Sequence, residues 1–444
     1  METGLQAINL IKNRGSAINL ASNSLYLTYI CYLFSAHHDR SNSLFSIKMK
    51  RFLLPAALLL LSFNQLLMGQ NPRAEVYFIT CGPGTESYSI YGHSALRIII
   101  PSNKSDLVYN WGVFDFSAKH FIWKFAKGRL DYMLGVFPYD SFMQEYRSEK
   151  RWVVSQKVNL TDEEMITLFS LINDNLKPEN VKYRYDFLYD NCSTRIRDLF
   201  EKTFGNSLIY PPPEARIKLP TFRELIENYQ RGYPWLNLGI NIVLGSPVDK
   251  KVGFRDRMFL PIDLKNNLTE SRVLRNGKQV PFLANPVTLL DFKSPVTSDN
   301  FLKSPFFLFS LLLILMVIFT AMNRKPVPNR WLDIILFSLF SVLSLLMIFF
   351  NFLTDHLETK KNFNIVWLNP FIIICLAAII ANRNWTIWFR LTFFLALAFL
   401  VVLLVVPQDF GDATFPLLVM LILRSSVRSG FSWNPLSLPY LTEL

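Results

Sequence analysis

The chain has 444 residues, of which 51% are hydrophobic and 15% aromatic, and most of that apolar content lies in the last third. The apolar runs in that part are long enough, or nearly long enough, to span a membrane. They exclude a purely soluble helical core, because a chain of this size could not bury them on all faces. The formal net charge of +12 would suit a nucleic acid partner. Part of the excess, however, lies in short loops between the apolar runs, where membrane topology explains it, and we expect no nucleic acid partner.

The start of the chain predicts an export signal over residues 49–69. The basic run Met49-Lys50-Arg51 precedes an apolar segment that ends at Gly69, a small residue suited to cleavage. Residues 1–48 have two interpretations: an incorrectly assigned start upstream of a true Met49, or a genuine extension in which Leu25 to Phe34 forms an extra span. The mature topology is the same in both cases if Gln70 is extracytoplasmic.

The sequence of residues 70–205 predicts strands followed by helices, as in an α+β domain. Thr161 with Glu164 three residues later forms a capping box ahead of an apolar helical repeat. Residues 206–300, which begin with the run Pro211-Pro212-Pro213, are expected to be an extension that connects this domain to the membrane. The predicted strands are Val76 to Thr80, Ser94 to Ile100, Val108 to Phe114 and Trp152 to Val158.

Cys192 is a candidate nucleophile because it lies at a predicted helix start. Asn191 is a good N-cap, and Ile196, Leu199 and Phe200 recur on one helical face after it. A thiol in a first turn lies at the positive end of the helix dipole, which favours the reactive thiolate. Two alternatives remain open: a small buried structural thiol, or a disulfide with Cys81 that would silence the nucleophile. We favour a free structural thiol for Cys81.

A base for this thiol is expected at His93, which follows Gly92 and opens a β-branched strand. A helix-borne cysteine facing a strand-borne histidine is papain-like geometry. The next strand offers Asn110, our first choice, or Asp115 to orient the imidazole, as the third member of a catalytic triad does. The alternative is a core histidine without a catalytic role.

Metal and cofactor chemistry finds no support in the motifs. The sequence contains no CxxC pair and no HExxH, GxxxxGK[ST] or GxGxxG run. We therefore predict neither a metal nor a cofactor.

The last third predicts about five transmembrane helices over residues 301–424, followed by a cytoplasmic tail over 425–444. Basic residues follow the first, third and fifth apolar runs, which places those loops in the cytoplasm and the domain before Ser304 on the other side. The basic residues are Arg324, Lys325, Arg330, Arg383, Arg390, Arg424 and Arg428. The apolar runs are Ser304 to Met322, Trp331 to Leu353, Ile365 to Ala381, Leu391 to Val406 and Phe410 to Leu423.

Several of these motifs occur together, in the same order, in the Lnb family of Bacteroidota, which the chain resembles over nearly all of its length after Ala74. The motifs are Cys-Gly-Pro-Gly at Cys81, Tyr-Gly-His-Ser-Ala-Leu-Arg at Tyr91, Val-Tyr-Asn-Trp-Gly-Val-Phe-Asp-Phe at Val108, Tyr-Asp-Asn-Cys-Ser-Thr-Arg-Ile-Arg-Asp at Tyr189 and Met-Phe-Leu-Pro at Met258. The resemblance includes the outward loop from Asp355 to Pro370.

The resemblance implies a lipoprotein N-acyltransferase of the inner membrane: a periplasmic papain-like domain of the permuted NlpC/P60 type, fused to a multi-pass membrane domain. The implied acyl donor is a phospholipid and the implied acceptor is the α-amine of a lipoprotein diacylglyceryl-cysteine. Cys192 would form the thioester and His93 would act as base, with Asn110 orienting it.

Four residues of the outward loop are weaker candidates for contact with substrate or the membrane interface. They are His356, Asn364, Trp367 and Asn369. His356 could orient a headgroup or act as a second base, or be a solvated loop histidine, and Trp367 is more simply an interfacial anchor. Two other functions remain: a membrane-tethered cell-wall peptidase or amidase using the same pair, and a non-enzymatic envelope assembly protein with a structural thiol.

Overall fold

The computed structural model of the chain describes residues 73–115, 117–212, 219–294, 300–322 and 329–431. The predicted signal peptide, residues 1–48, Arg324, Lys325 and the tail from residue 432 lie outside the described residues. Two compact units are present. Of the described residues, the first contains the segments Leu96–Tyr109 and Val136–Phe142 and residues 73–77; the second contains Phe78–Ala95, the described part of Asn110–Gly135 and the described residues from Met143 onward.

The first unit is built on a hairpin in which Leu96 pairs with Tyr109 and Ile100 with Ser105. Arg97 donates to both carboxylate oxygens of Asp106, at 2.7 and 2.6 Å. Its guanidinium lies 3.4 Å from the centroid of the Tyr139 ring. The two contacts hold the cation in place, as expected for a bidentate pair that also stacks on an aromatic face.

A seven-stranded sheet has the order β10-β5-β1-β2-β3-β4-β6, and β7-β8-β9 form a separate sheet. The four predicted strands are present with ends shifted by a few residues. The segment predicted as a connector also contributes β10, which pairs antiparallel with β5. The strands are β1 Glu75–Cys81, β2 His93–Ile100, β3 Ser105–Val113, β4 Asp131–Pro138, β5 Val153–Lys157, β6 Lys182–Arg184, β7 Leu208–Ile209, β8 Arg272–Arg275, β9 Lys278–Pro281 and β10 Val287–Leu290.

Eight helices accompany these strands in the described residues before Ser304, and the predicted capping box of Thr161 and Glu164 is confirmed at the start of α3. The helix that carries the cysteine is α4. The helices are α1 Phe121–Ala126, α2 Tyr139–Ser148, α3 Asp162–Asn175, α4 Cys192–Phe204, α5 Phe222–Gln230, α6 Pro234–Val243, α7 Phe254–Arg257 and α8 Pro261–Glu270.

Helix α4 is fixed to the sheet by a cluster of buried phenylalanines. The Phe200 ring meets Phe78 of β1 edge to face at 6.4 Å and Phe282 at 5.2 Å. Phe204 meets the same Phe282 ring at 5.0 Å. Burial of each ring contributes roughly 1.5–3 kcal/mol, and the edge-to-face geometry adds about 0.5–1.5 kcal/mol per pair. The cluster therefore sets where the first turn of α4 lies relative to the strands.

The last third is helical, and among the described residues the segments Arg330–Leu353 and Thr386–Val405 are long and apolar enough to cross a membrane. Pro305–Thr320 and Phe371–Ile380 are shorter apolar helices. The helices in this part are α9 Pro305–Met322, α10 Arg330–Ile348, α11 Phe371–Ile380, α12 Thr386–Val405 and α13 Thr414–Arg428, with a π-helical turn over Phe349–Leu353 after α10.

One end of this helical domain is held together by buried charges. Asp333, in the first turn of α10, accepts from Nε of Arg424 at 2.7 Å and from Nε of Arg428 at 2.6 Å, both on α13. Arg330 donates to the carbonyl of Ile380 at the end of α11. The start of α10 and the ends of α11 and α13 therefore lie at the same end.

The loop after α10, residues 354–364, lies at the opposite end of that helix and is fastened to the preceding domain. The side-chain amide of Asn362 donates to the carbonyls of Ile242 and Val243 at 2.7 and 3.0 Å. The Gly245 amide donates to the carbonyl of Glu358. A side chain at Gly245 would collide with the Lys360 carbonyl, so only glycine permits this approach.

Candidate active site

Cys192 is the first residue of α4, and its position is set by the cap before it. The Asn191 side-chain oxygen accepts from the amides of Ser193 at 2.8 Å and Thr194 at 3.0 Å. The Thr194 hydroxyl in turn accepts from the Asn191 amide at 2.8 Å, which completes a capping box. The cap thus engages the two amides after Cys192 and not the amide of Cys192 itself. The predicted helix start is confirmed.

Asn191 is also tied to two distant backbone segments. Its side-chain amide donates to the Phe187 carbonyl at 2.6 Å and to the Phe259 carbonyl at 3.0 Å. Phe259 lies in the Met-Phe-Leu-Pro segment, whose part in the site the sequence did not predict. An amide side chain is needed here, since only asparagine or glutamine both accepts and donates in this way.

His93 opens β2 and is oriented by the adjacent strand. Its Nε2 lies 2.6 Å from Oδ1 of Asn110 on β3, so Nε2 donates and the other ring nitrogen, Nδ1, is left for the thiol. Gly92 before it has φ +82°, and a side chain there would lie 2.9 Å from the Cys81 carbonyl. The glycine therefore lets the strand begin where the imidazole faces Cys192.

The thiol and the imidazole form a coupled pair. Burial opposes ionisation of Cys192, but the charge and hydrogen bond of His93, the Ser94 backbone amide and the Ser193 hydroxyl lower the pKa of the thiol below its ordinary value. Burial also opposes the charge on His93, yet the Cys192 thiolate and the hydrogen bonds from Cys192 and Asn110 raise the pKa of the imidazole. Both shifts favour a thiolate–imidazolium pair.

A glycine of β3 borders this pair. Gly112 has φ +94°, and a Cβ there would lie 3.8 Å from the Tyr185 ring and 4.0 Å from Cβ of Cys192. The glycine therefore lies beside both that ring and the cysteine. Tyr185 stacks on Tyr132 with ring centroids 4.4 Å apart, so one side of the site is aromatic. Gly112, Tyr132 and Tyr185 were not among the sequence predictions, because no local pattern marks them as neighbours of the pair.

The structure does not favour two alternatives from the sequence, Asp115 as the residue that orients His93 and a disulfide between Cys81 and Cys192. Asp115 accepts from the amide and hydroxyl of Ser117 in an exposed turn, and the structure does not place it on His93. Cys81 and Cys192 are both free thiols, so the alternative of a disulfide is wrong. Burial raises the pKa of the Cys81 thiol, which suits the structural role predicted for it.

The four outward-loop candidates make structural hydrogen bonds with backbone or with one another. Trp367 is fully buried and donates to Asn364, which is also buried and donates to the Ile242 carbonyl. Asn369 accepts from the Phe371 amide at the start of α11. These burials differ from the predicted contact with substrate or interface, and Trp367 is not an interfacial anchor. His356 is half-buried, with Nε2 3.1 Å from the Phe125 carbonyl.

Two carboxyl groups lie near each other where the loop before Cys192 approaches the outward loop. One belongs to Glu358, and the other belongs to Asp186, which lies six residues before the cysteine. Burial and the Asp186 charge raise the pKa of Glu358 to about 7. Asp186 accepts from the amides of Leu188 and Tyr189 at 2.9 and 2.8 Å, which shapes the turn that leads to the nucleophile position.

Fold and site together define a membrane-associated protein with an α+β domain that contains a cysteine–histidine pair and with a helical domain whose outward loop is hydrogen-bonded to it. Residues 66–228 match the Lnb N-terminal periplasmic domain, and residues 297–432 match the Lnb transmembrane domain. The chain belongs to the Lnb family. It is therefore a membrane protein with an extracytoplasmic domain, and its domains fit a membrane-associated role in lipoprotein processing. No curated protein and no solved structure matches the chain.

We predict that Asn191 supports the position of Cys192 beyond its role as a cap. Asn191→Ala should lower stability by about 1–3 kcal/mol, because it removes the cap and leaves the Phe187 and Phe259 carbonyls without their donor. It should also slow alkylation of Cys192. Thermal unfolding and peptide mass spectrometry after iodoacetamide treatment measure the two effects.

Thr161→Ala is the matched control, since it removes the equivalent cap of α3 and should leave Cys192 alkylation unchanged. Asn191→Asp should keep the cap but lose both donated bonds. Wild-type stability and alkylation in Asn191→Ala would contradict this account.

We also predict a pH effect of Asn110. Its hydrogen bond raises the pKa of His93, so Asn110→Ala should lower that pKa and weaken the cation that favours the Cys192 thiolate. The acid limb of the alkylation rate against pH should therefore move to higher pH, with a severalfold loss near pH 6. Asp115→Ala should leave the profile in place; a shift of equal size in both variants would show that Asn110 does not orient the imidazole.

Proposed function

We propose that this protein is a lipoprotein N-acyltransferase, in which Cys192 takes an acyl chain from a phospholipid and passes it to the α-amine of a lipoprotein diacylglyceryl-cysteine. His93 is the acid and base, and Asn110 orients it. The α+β domain would be papain-like in the permuted NlpC/P60 sense, since the histidine strand precedes the cysteine helix in the chain.

The first step of the proposal is acylation. The Cys192 thiolate attacks the ester carbonyl of the donor, so that a carbon–sulfur bond forms while the bond to the glycerol oxygen breaks. The His93 imidazolium gives its proton to the departing alkoxide, which leaves as lysophospholipid. The positive end of α4 and the Cys192 backbone amide, which Asn191 leaves unoccupied, would stabilise the oxyanion.

The second step is transfer. The neutral α-amine of the acceptor attacks the thioester, an amide forms, and the carbon–sulfur bond breaks. The neutral His93 accepts the amine proton and so restores the imidazolium beside the released thiolate. The pair ends the cycle in its starting state, and neither step needs a metal or a cofactor.

The observation that carries acyl transfer, rather than peptide cleavage, is that the domain of Cys192 is hydrogen-bonded to the outward loop. The Gly245 amide donates to the Glu358 carbonyl, and the Asp355 amide donates to the Lys127 carbonyl. A phospholipid ester lies near the membrane interface and cannot be raised far from it, because each CH₂ drawn into water costs roughly 0.8 kcal/mol. A thiol domain fastened to the outward loop of a membrane domain suits that constraint. A peptidase acting on the cell wall has no need of it.

We further propose that the membrane domain crosses the inner membrane five times, with the thiol domain in the periplasm. The clustering of Arg330, Arg424 and Arg428 at one end and of the 354–364 loop at the other supports this orientation.

Reporter fusions test the topology. Fusions after Asn300 and Lys360 should report the periplasm, and fusions after Arg383 and Arg428 the cytoplasm. A cytoplasmic signal at Lys360 would contradict both the orientation and the route of the lipid ester to Cys192.

The thioester tests the reaction itself. Full-length protein in vesicles with radiolabelled phospholipid should accumulate a hydroxylamine-sensitive acyl group when no acceptor is present, and Cys192→Ser should lose it by at least a hundredfold while still accumulating in the membrane. Cys81→Ser is the control and should behave as wild type. Cleavage of murein peptides by the wild-type protein, with no acyl group trapped, would replace acyl transfer by the peptidase alternative.

A further inference from the structure

Helix α1 exposes an unusual amount of apolar surface for its length. Ile122, Trp123 and Phe125 are 80%, 55% and 52% exposed. Basic residues lie among them, at Lys124 within the helix and at Lys119 and Lys127 beside it. Large apolar side chains flanked by cations are typical of helices that lie in a membrane interface, where the cations meet lipid phosphates.

The position of α1 relative to the membrane domain is fixed by several contacts. The Trp123 ring lies 5.6 Å from the ring of Phe349, in the turn that follows the long apolar helix α10. The Asp355 amide donates to the Lys127 carbonyl at 2.9 Å, and Arg129 donates to the Asp355 carboxylate at 2.7 Å. Helix α1 therefore lies beside the outward end of a helix long enough to span a bilayer, where the lipid surface begins.

A row of aromatic rings runs from α1 to the thiol. Phe125 stacks on Phe121 at 6.3 Å, Phe121 on Phe114 at 5.8 Å, and Phe114 lies 5.1 Å from Tyr132. Tyr132 stacks on Tyr185, the ring that lies beside Gly112 and Cys192. The row is a continuous series of ring contacts from the exposed helix to the ring beside the nucleophile.

We propose that α1 inserts its apolar face into the outer leaflet and that the row of rings holds an acyl chain of the donor phospholipid, with its ester at Cys192. The occupant is a lipid rather than a protein, because the exposed face continues from the outward end of α10 and carries cations that match lipid phosphates. The inference rests on the acyl transfer proposed above and adds to it the site of the donor chain.

Insertion is tested with full-length protein in phosphatidylethanolamine–phosphatidylglycerol vesicles that contain a phospholipid with a diazirine at the chain end. Irradiation should crosslink lipid to the peptide carrying residues 117–131. Ile122→Glu should lower the rate of thioester formation from vesicle lipid, relative to the rate from a soluble short-chain ester, by tenfold or more.

Ile166→Glu is the matched control. Ile166 on α3 is also an isoleucine, is 69% exposed, and belongs to the same domain. Its substitution should leave the ratio of the two rates unchanged. Equal ratios in Ile122→Glu and Ile166→Glu, with no lipid crosslink to α1, would overturn the inference while a trapped thioester left acyl transfer standing.

The chain path has its own test. Phe121 lies far along the row from Cys192, so Phe121→Ala should slow acylation by long-chain donors severalfold more than acylation by six-carbon donors. If Phe121 had a purely structural role, Phe121→Ala would lower both acylation rates equally. That result would overturn the proposal that the row of rings holds the acyl chain. If wild-type protein formed no thioester with any donor, acyl transfer itself would fail and the path with it, whereas crosslinks to α1 would still support insertion.

Discussion

The hydrogen bonds of one side chain, Asn191, hold the site together. Its oxygen caps α4 through Ser193 and Thr194, and its amide holds the Phe187 and Phe259 carbonyls. The first contact makes the next residue the start of a helix, where the dipole favours a thiolate. The bonds donated by the side-chain amide fix that helix start against the segments of Phe187 and Phe259. Without them, Cys192 would have no fixed position opposite the His93 imidazole on β2.

The same short loop joins the thiol to the membrane domain. Asp186 lies at one end of the loop and Cys192 at the other. Glu358 of the outward loop lies near Asp186, and burial together with that second carboxylate raises the pKa of Glu358 to about 7. Seven residues of chain, from Asp186 to Cys192, thus connect the neighbourhood of the outward loop to the nucleophile.

Local patterns were enough to predict the elements that carry the candidate site. Asn191 as N-cap, the capping box at Thr161 and the strand opened by His93 depend on residues within a turn or a strand of each other. The pairing of β10 with β5, the carbonyl of Phe259 and the approach of Glu358 to Asp186 join positions that are far apart in sequence and have no local pattern. The interpretation of Trp367 as an interfacial anchor was wrong for a related reason. A tryptophan near an apolar run resembles such an anchor, and only tertiary packing against Phe340 and Phe399 shows that it is buried.

The central claim is that this protein adds the acyl chain to the lipoprotein amine. Mass spectrometry of lipoprotein N-termini from a strain that lacks the gene tests it most directly, with complementation by wild type and by Cys192→Ser. The account predicts diacylated N-termini with a free amine in the deletion strain and in the serine variant, and restored N-acylation with wild type. N-acylated lipoproteins in the deletion strain at the wild-type level would contradict it.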